Sequence, residues 1–172
     1  SNDPANVVPW TAQPTYSNHV GGDLAGVRKH LGYLKSLGIS TVYFNPVFQA
    51  GSNHRYDTID YLKVDPELGT NEEFGALTRE MKRQGIRTVV DGVFNHTSTK
   101  FFAFDDVVQK GADSEYTKWY TFRSFPVKIQ EHPNYVAWFD YPSMPKLNHA
   151  NPVSREYLLN VPKYWAKNAT ID

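Results

Sequence analysis

The sequence has no cysteine, no long apolar run and no excess of charge, and each absence excludes a class of protein. Without cysteine, the 172-residue chain has no disulfide framework and no thiolate metal site. Its 18 basic and 18 acidic side chains balance, which argues against nonspecific binding to nucleic acid or to an anionic membrane. No apolar segment approaches the ~20 residues that cross a bilayer. We therefore expect neither nucleic acid nor a membrane among its partners.

Aromatic side chains are abundant, at 15% of the residues. Aromatic faces fill cores, and they also stack on flat ligand faces such as bases and sugar rings. The neutral net charge favours the sugar. The opening SNDPANVVPW has neither the positive nor the apolar region of a signal peptide, so the given chain carries none. Secreted proteins can also lack cysteine, so the compartment stays open between secreted and cytoplasmic.

Apolar residues alternate between helical and strand spacing along the chain. Leu24, Val27, Leu31 and Leu34 recur at helical spacing, between a possible cap at Asp23 and the glycine Gly38. The remaining pattern predicts a strand at 39–44, a polar loop at 49–60, a helix at 70–85, a strand at 86–90, an irregular stretch at 97–150, a helix from 151 that Pro162 should kink or interrupt, and a possible strand at 170–172. This alternation is typical of parallel strands joined by crossover helices.

The segment DGVFNH, residues 91–96, gathers Asp91, Asn95 and His96 at the end of a predicted strand. Ligands of parallel sheets bind at the carboxyl ends of strands, so these side chains are candidates for a site. The alternative is a turn in which Asp91 and Asn95 bond to backbone groups.

DGVFNH resembles the first conserved block of the α-amylase family of glycoside hydrolases. Further blocks resemble the family in the same order along the chain: GGDL (21–24), GISTVYFNPVFQ (38–49), SNHRYDTIDY (52–61), VDPELGT (64–70) and MPKLN (144–148). SNHRYDT and MPKLN point to the branch of neopullulanases, cyclomaltodextrinases and amylopullulanases. Six blocks in register are far more specific than one.

The resemblance implies an α/β fold, a partial (β/α)8 TIM barrel from the first helix to the start of the fourth strand. It implies a partial catalytic barrel at 1–96, an inserted domain after the third strand at 97–150, and the continued barrel at 151–172. The rest of the catalytic barrel would then be a partner of this chain.

The implied reaction is retaining hydrolysis or transfer on starch, pullulan, maltodextrin or cyclodextrin. That chemistry needs two carboxyl groups about 5 Å apart. In the family these groups lie on blocks that would follow Asp172, so we expect no catalytic residue within the chain, no activity of the chain alone and poor folding in isolation. The alternatives are a non-catalytic amylase-like barrel used for carbohydrate binding or assembly, and a stand-alone carbohydrate-binding module, which would not need strand-end blocks in barrel order.

Three residues resemble the substrate-binding positions of the family. His96 corresponds to a residue that contacts sugar hydroxyls, and Tyr56 to the aromatic platform under the same glucose. Asp91 corresponds to a supporting residue that pairs with an arginine of the fourth strand. We expect all three to converge on one face. Packing alone would be the alternative role of Tyr56, and capping that of His96.

A calcium site is also implied by the resemblance. Asn2, Asp3, Gly21 and Asp23 are similar to part of a calcium site found in several branches, and Asn95 to a ligand of a second site. Ca²⁺ takes 6–8 oxygen ligands from carboxylates, amides and carbonyls. The alternative is that Asp23 caps the helix and that Asn2 and Asp3 form a solvated terminus.

Overall fold

The fold is that of a computed structural model, which describes residues 7–15 and 17–172. It contains the strands β1 Thr41–Phe44, β2 Phe48–Ala50, β3 Thr58–Val64 and β4 Arg87–Val90. The α-helices are α1 Leu24–Lys29, α2 Leu31–Ser36, α3 Asn71–Arg83, α4 Phe102–Lys110 and α5 Pro152–Asn168. Short 3₁₀ turns lie at Gly111–Asp113, Thr117–Trp119 and Trp138–Asp140.

The two predicted barrel strands are parallel neighbours, as the sequence pattern indicated. β1 pairs with β4 in a register that runs from Thr41 opposite Arg87 to Phe44 opposite Val90. Helix α3 joins them, and Thr70 and Glu73 close its N-terminus with a capping box. This arrangement brings the carboxyl ends of both strands to the same edge.

The predicted polar loop at 49–60 is wrong in part. β2 and β3 form an antiparallel ribbon with register shifts, in which Gln49 faces Asp60 and Ala50 faces Thr58. Burial of Phe48, Tyr61 and Val64 in the core explains the ribbon, because their packing overrides the polar residues between them.

The first predicted helix is divided, and the third is continuous. α1 and α2 are separated at His30, whose backbone departs from helical angles (φ −104°, ψ 10°). Pro162 was expected to kink or interrupt α5, and the interruption is wrong, because the helix is continuous from Pro152 to Asn168. Its neighbours Val161 and Trp165 are buried, and their packing holds the helix across the exposed proline.

The stretch at 97–150, predicted to be irregular, contains helix α4. Ala103, Phe104 and Val107 are the buried face of that helix, at the spacing of one helical stripe. Trp119, Tyr120 and Tyr135 are buried beside it, whereas Trp138, Phe139 and Tyr141 are exposed. Most of this stretch is irregular, but its aromatic core is well packed.

The possible strand at the end of the chain is not formed, although its first contact is present. The backbone N–H of Asp172 donates to the carbonyl of Thr88 (2.9 Å), on the edge of β4. Within the described residues, no helix has the length and apolar character needed to cross a membrane.

Candidate functional site

Tyr56, Asp91 and His96 converge beyond the carboxyl ends of β1 and β4, as expected. The hydroxyl of Tyr56 donates to Oδ2 of Asp91 at 3.2 Å. Nε2 of His96 lies 3.0 Å from the backbone carbonyl of Tyr56. Tyr56 therefore connects the loop that follows β2 with the segment that follows β4.

Both ring nitrogens of His96 are engaged within the protein. A carbonyl can only accept, so Nε2 carries the hydrogen and donates to Tyr56. Nδ1 then accepts from the side-chain amide of Asn95 (3.1 Å). Burial lowers the pKa of His96, which favours the neutral ring that this pattern requires. A ligand hydroxyl would have to share Nε2 with Tyr56 or displace Asn95.

Asp91 is held by tyrosines in the described residues, and an arginine partner is not among its contacts there. The hydrogen bond to Asp91 raises the pKa of Tyr43 on β1. Partial burial and the hydrogen bond to Asp91 also raise the pKa of Tyr56. Both phenols therefore stay protonated and serve Asp91 as donors.

Tyr61 on β3 holds the segment that carries Asp91 and His96, a role that the sequence did not reveal. Its hydroxyl lies 2.6 Å from the carbonyl of Val93 and 3.0 Å from that of His96. The indole of Trp165 donates in turn to the carbonyl of Tyr61 (2.7 Å). The strand-end segment is thus fixed from the core outward.

A cavity of about 620 Å³ lies in front of this segment, lined by His54, Tyr56, His96, Trp138, Tyr141, Ser143 and Met144. The rings of Trp138 and His96 lie 5.6 Å apart, and those of Trp138 and Tyr141 are stacked at 5.9 Å. The cavity thus offers aromatic faces on two sides and hydrogen-bonding groups between them, the combination that a sugar ring requires.

Two sequence blocks about 50 residues apart build this cavity together. His96 forms an antiparallel bridge with Lys146, and the N–H of Leu147 donates to the carbonyl of Asn95 (3.0 Å). The MPKLN block therefore pairs with DGVFNH and brings Trp138 and Tyr141 to the site. No spacing signal in the sequence separates these two aromatic residues from the others of this region.

The expected calcium ligands do not form a complete site in the described residues. Asn2 and Asp3 lie outside those residues. Asp23 caps α1, with its carboxylate accepting from the N–H of Gly26 (2.7 Å), and this bond lowers its pKa. Among residues 7–15 and 17–172, no three His, Asp or Glu side chains are grouped so that they could hold a metal ion. Gly21, Asp23 and Asn95 alone do not fit the 6–8 oxygen ligands of calcium.

Parallel strands with polar and aromatic side chains beyond their carboxyl ends define an α/β protein whose candidate site has the position typical of (β/α)8 barrels. The family model for the alpha amylase catalytic domain matches residues 4–172. The chain belongs to this family, whose catalytic domain has the (β/α)8 fold. The resemblance noted in the sequence is thereby confirmed.

Two relatives support the same branch of the family. The chain is 45% identical over 172 residues to a maltogenic alpha-amylase of Bacillus acidopullulyticus, covering 99% of this chain and 29% of that protein. It is 44% identical over 168 residues to neopullulanase 2 of Thermoactinomyces vulgaris, covering 96% of this chain and 29% of that protein. The chain therefore spans less than a third of the length of these relatives.

A solved structure has the same fold at similar identity. The cyclic alpha-maltosyl-(1→6)-maltose hydrolase of Arthrobacter globiformis, in complex with that cyclic sugar, superposes with a TM-score of 0.95 at 44% identity. The match covers 99% of this chain and 38% of that one.

Proposed function

We propose that this chain forms the sugar-binding side of the active site of a retaining α-glucan hydrolase or transglycosidase. The substrate class is starch, pullulan, maltodextrin or cyclodextrin. The observation that carries the proposal is the cavity beyond β1 and β4, where Tyr56 and His96 meet an aromatic wall. The names of the relatives, and the sugar bound in the related structure, support the substrate class.

Tyr56 is the proposed platform under the reacting glucose. Its hydroxyl is fixed by Asp91 and its carbonyl by His96, so the ring has little freedom to turn away. A fixed aromatic face binds the C–H face of a pyranose at a small entropic cost. His96 would contribute one donor to a sugar hydroxyl, shared with the carbonyl of Tyr56.

Hydrolysis needs carboxyl groups, and the described residues that line this cavity include none. Retaining hydrolysis uses a carboxylate nucleophile and a second carboxyl as acid and then base. We propose that both come from the rest of the catalytic barrel, which completes the cavity. On this proposal, residues 1–96 and 151–172 belong to the barrel and residues 97–150 to the inserted domain.

The lack of a carboxylate among these lining residues also suits the alternative, a non-catalytic amylase-like barrel that binds carbohydrate or serves assembly. Sugar binding does not separate the two functions, because a carbohydrate-binding barrel also binds sugar. Turnover separates them, since only the enzyme cleaves the glucan. Reducing-sugar release from maltodextrin by the protein with its complete barrel separates them. Binding without release would favour the alternative.

Variants at Tyr56 test the site. Tyr56→Ala in the protein with its complete barrel should raise KM for maltodextrin about tenfold or more, because the stacking face is lost. Tyr33→Ala, which removes an exposed tyrosine of α2 outside the cavity, is the matched control and should leave KM unchanged. Equal KM values for wild type and Tyr56→Ala would contradict the proposal.

Calcium belongs to this proposal only as a structural ion. Members of the family commonly bind it, and the carbonyl of Gly21 and the carboxylate of Asp23 are suitable oxygen donors if further ligands join them. Removal of calcium by EDTA should then lower the melting temperature of wild type more than that of Asp23→Asn. An equal decrease in both would exclude this position.

A further inference from the structure

We infer that Arg55 is a positioning residue for the proposed sugar site, acting through its neighbour Tyr56. Its guanidinium lies between the carboxylates of Asp65 and Glu67 and fixes the backbone that presents Tyr56 to the cavity. The inference rests on the proposed function and adds to it a residue that does not line the cavity around Tyr56.

Each nitrogen of the Arg55 guanidinium has its own role. Nη1 donates to the carbonyl of Asn53 (2.8 Å), and Nη2 donates to Oε2 of Glu67 (3.0 Å). Nε lies 3.4 Å from Oδ2 of Asp65, an ion pair without a well-aligned hydrogen bond. The side chain is only 12% exposed. Lysine carries the same charge as a single point and cannot reproduce this fork.

The cation of Arg55 balances two carboxylates that also shape the backbone. Oδ1 of Asp65 accepts from the N–H of Glu67 (3.0 Å), and its Oδ2 from that of Ala50 (3.3 Å). Glu67 has His19 as a further partner, with Nδ1 at 2.9 Å. Removing the guanidinium would leave a buried and a half-buried carboxylate without the arginine that balances their charge, which is a costly arrangement.

The backbone of Arg55 connects this charge cluster to the site. Its φ of 61° lies in the left-handed region, which residues other than glycine adopt only where their surroundings hold them. The next residue, Tyr56, then makes three contacts: its N–H donates to Nδ1 of His54 (3.1 Å), its carbonyl accepts from His96, and its hydroxyl donates to Asp91. A shift at Arg55 would disturb all three together.

A double-mutant cycle in the protein with its complete barrel tests the inference. Arg55→Gln should lower kcat/KM on maltodextrin about tenfold or more, since small displacements of a positioning group are costly. In a Tyr56→Ala background, the same substitution should change kcat/KM less than about twofold, because its effect passes through Tyr56. Arg55→Lys should give an intermediate loss. Arg28→Gln, which breaks the exposed pair with Glu80, is the matched control and should match wild type.

A second readout does not depend on turnover. The ¹⁵N imidazole signals of His96 report its hydrogen bond to Tyr56, and they should shift in Arg55→Gln and in Arg55→Lys but not in Arg28→Gln. If wild type neither binds nor cleaves α-glucan, the proposed function is overturned, and the His96 signals still decide the positioning role. Unshifted His96 signals in Arg55→Lys, or equal losses of kcat/KM in both Tyr56 backgrounds, would overturn the inference.

Discussion

Replacing Tyr61 with phenylalanine removes one hydroxyl from the core and leaves the ring in place. The ring is fully buried and packs against Phe48, Phe94 and Phe101 at centroid distances of 6.2, 5.6 and 5.7 Å. Because phenylalanine has nearly the same shape, no cavity should form. The substitution therefore isolates the hydrogen bonds that Tyr61 makes to the segment following β4.

The expected loss of stability follows from the two backbone carbonyls that lose the Tyr61 hydroxyl as a hydrogen-bond donor. The hydroxyl lies 2.6 Å from the carbonyl of Val93 and 3.0 Å from that of His96, and both residues are buried. A buried acceptor deprived of its donor costs about 1–3 kcal/mol. We expect the free energy for opening this segment to fall by that amount, which corresponds to hydrogen exchange about 5- to 150-fold faster.

Amide hydrogen exchange of Thr97 and Ser98 is the direct assay. Their N–H groups donate to the carbonyls of Pro145 and Thr58, so their exchange reports the closed segment. Tyr33→Phe, on an exposed ring, is the control and should leave both rates unchanged. Wild-type exchange rates in Tyr61→Phe would refute the reasoning that the hydroxyl holds this segment.

Four further predictions concern activity, helix stability and pH. The 172-residue chain alone should release no reducing sugar from maltodextrin, because the proposed nucleophile and acid come from elsewhere; release by a preparation free of other amylases would contradict this. His96→Ala in the protein with its complete barrel should lower kcat/KM about 10- to 100-fold with a smaller effect on melting temperature, and unchanged turnover would count against a sugar contact. Pro162→Ala should stabilise α5 by up to about 3 kcal/mol, measured by denaturant unfolding, because proline is the least favourable residue inside a helix; a lower stability would show that the proline ring is needed for packing. Burial lowers the pKa of His96, so the unfolded chain binds a proton at this residue more readily than the folded chain. The contribution of His96 to the free energy of unfolding should therefore be complete above about pH 6.5 and decrease as the pH falls below it. Thermal melts across pH should show this slope in wild type and a flatter one in His96→Gln.

Local sequence patterns predicted helix α3 and the strands β1 and β4 correctly. Helix α3 has a capping box at Thr70 and Glu73 and an apolar stripe at Phe74, Leu77 and Met81, which are all properties of neighbouring residues. The parallel pairing of β1 and β4 followed from the helix between them, since a crossover permits little else. Each sequence block is a local pattern as well, and the order of the six blocks along the chain identified the family.

Errors arose where distant packing overrode the local signal. The ribbon of β2 and β3 was predicted to be loop in part, because most residues between the core residues Phe48 and Tyr61 are polar. Pro162 was expected to disturb α5, but a missing helix bond is offset by the burial of Trp165.

The sequence by itself determined the family, the alternation of helices and strands, and the meeting of Tyr56, Asp91 and His96 at one edge. These follow from short-range spacing and from the order of the blocks. Only the tertiary structure decided that both nitrogens of His96 are occupied and that Arg55 lies between two carboxylates. It alone also brought Trp138 to the cavity. The physical reason is that a hydrogen bond or a ring contact depends on distances of a few ångströms between groups that the chain brings together only when it folds.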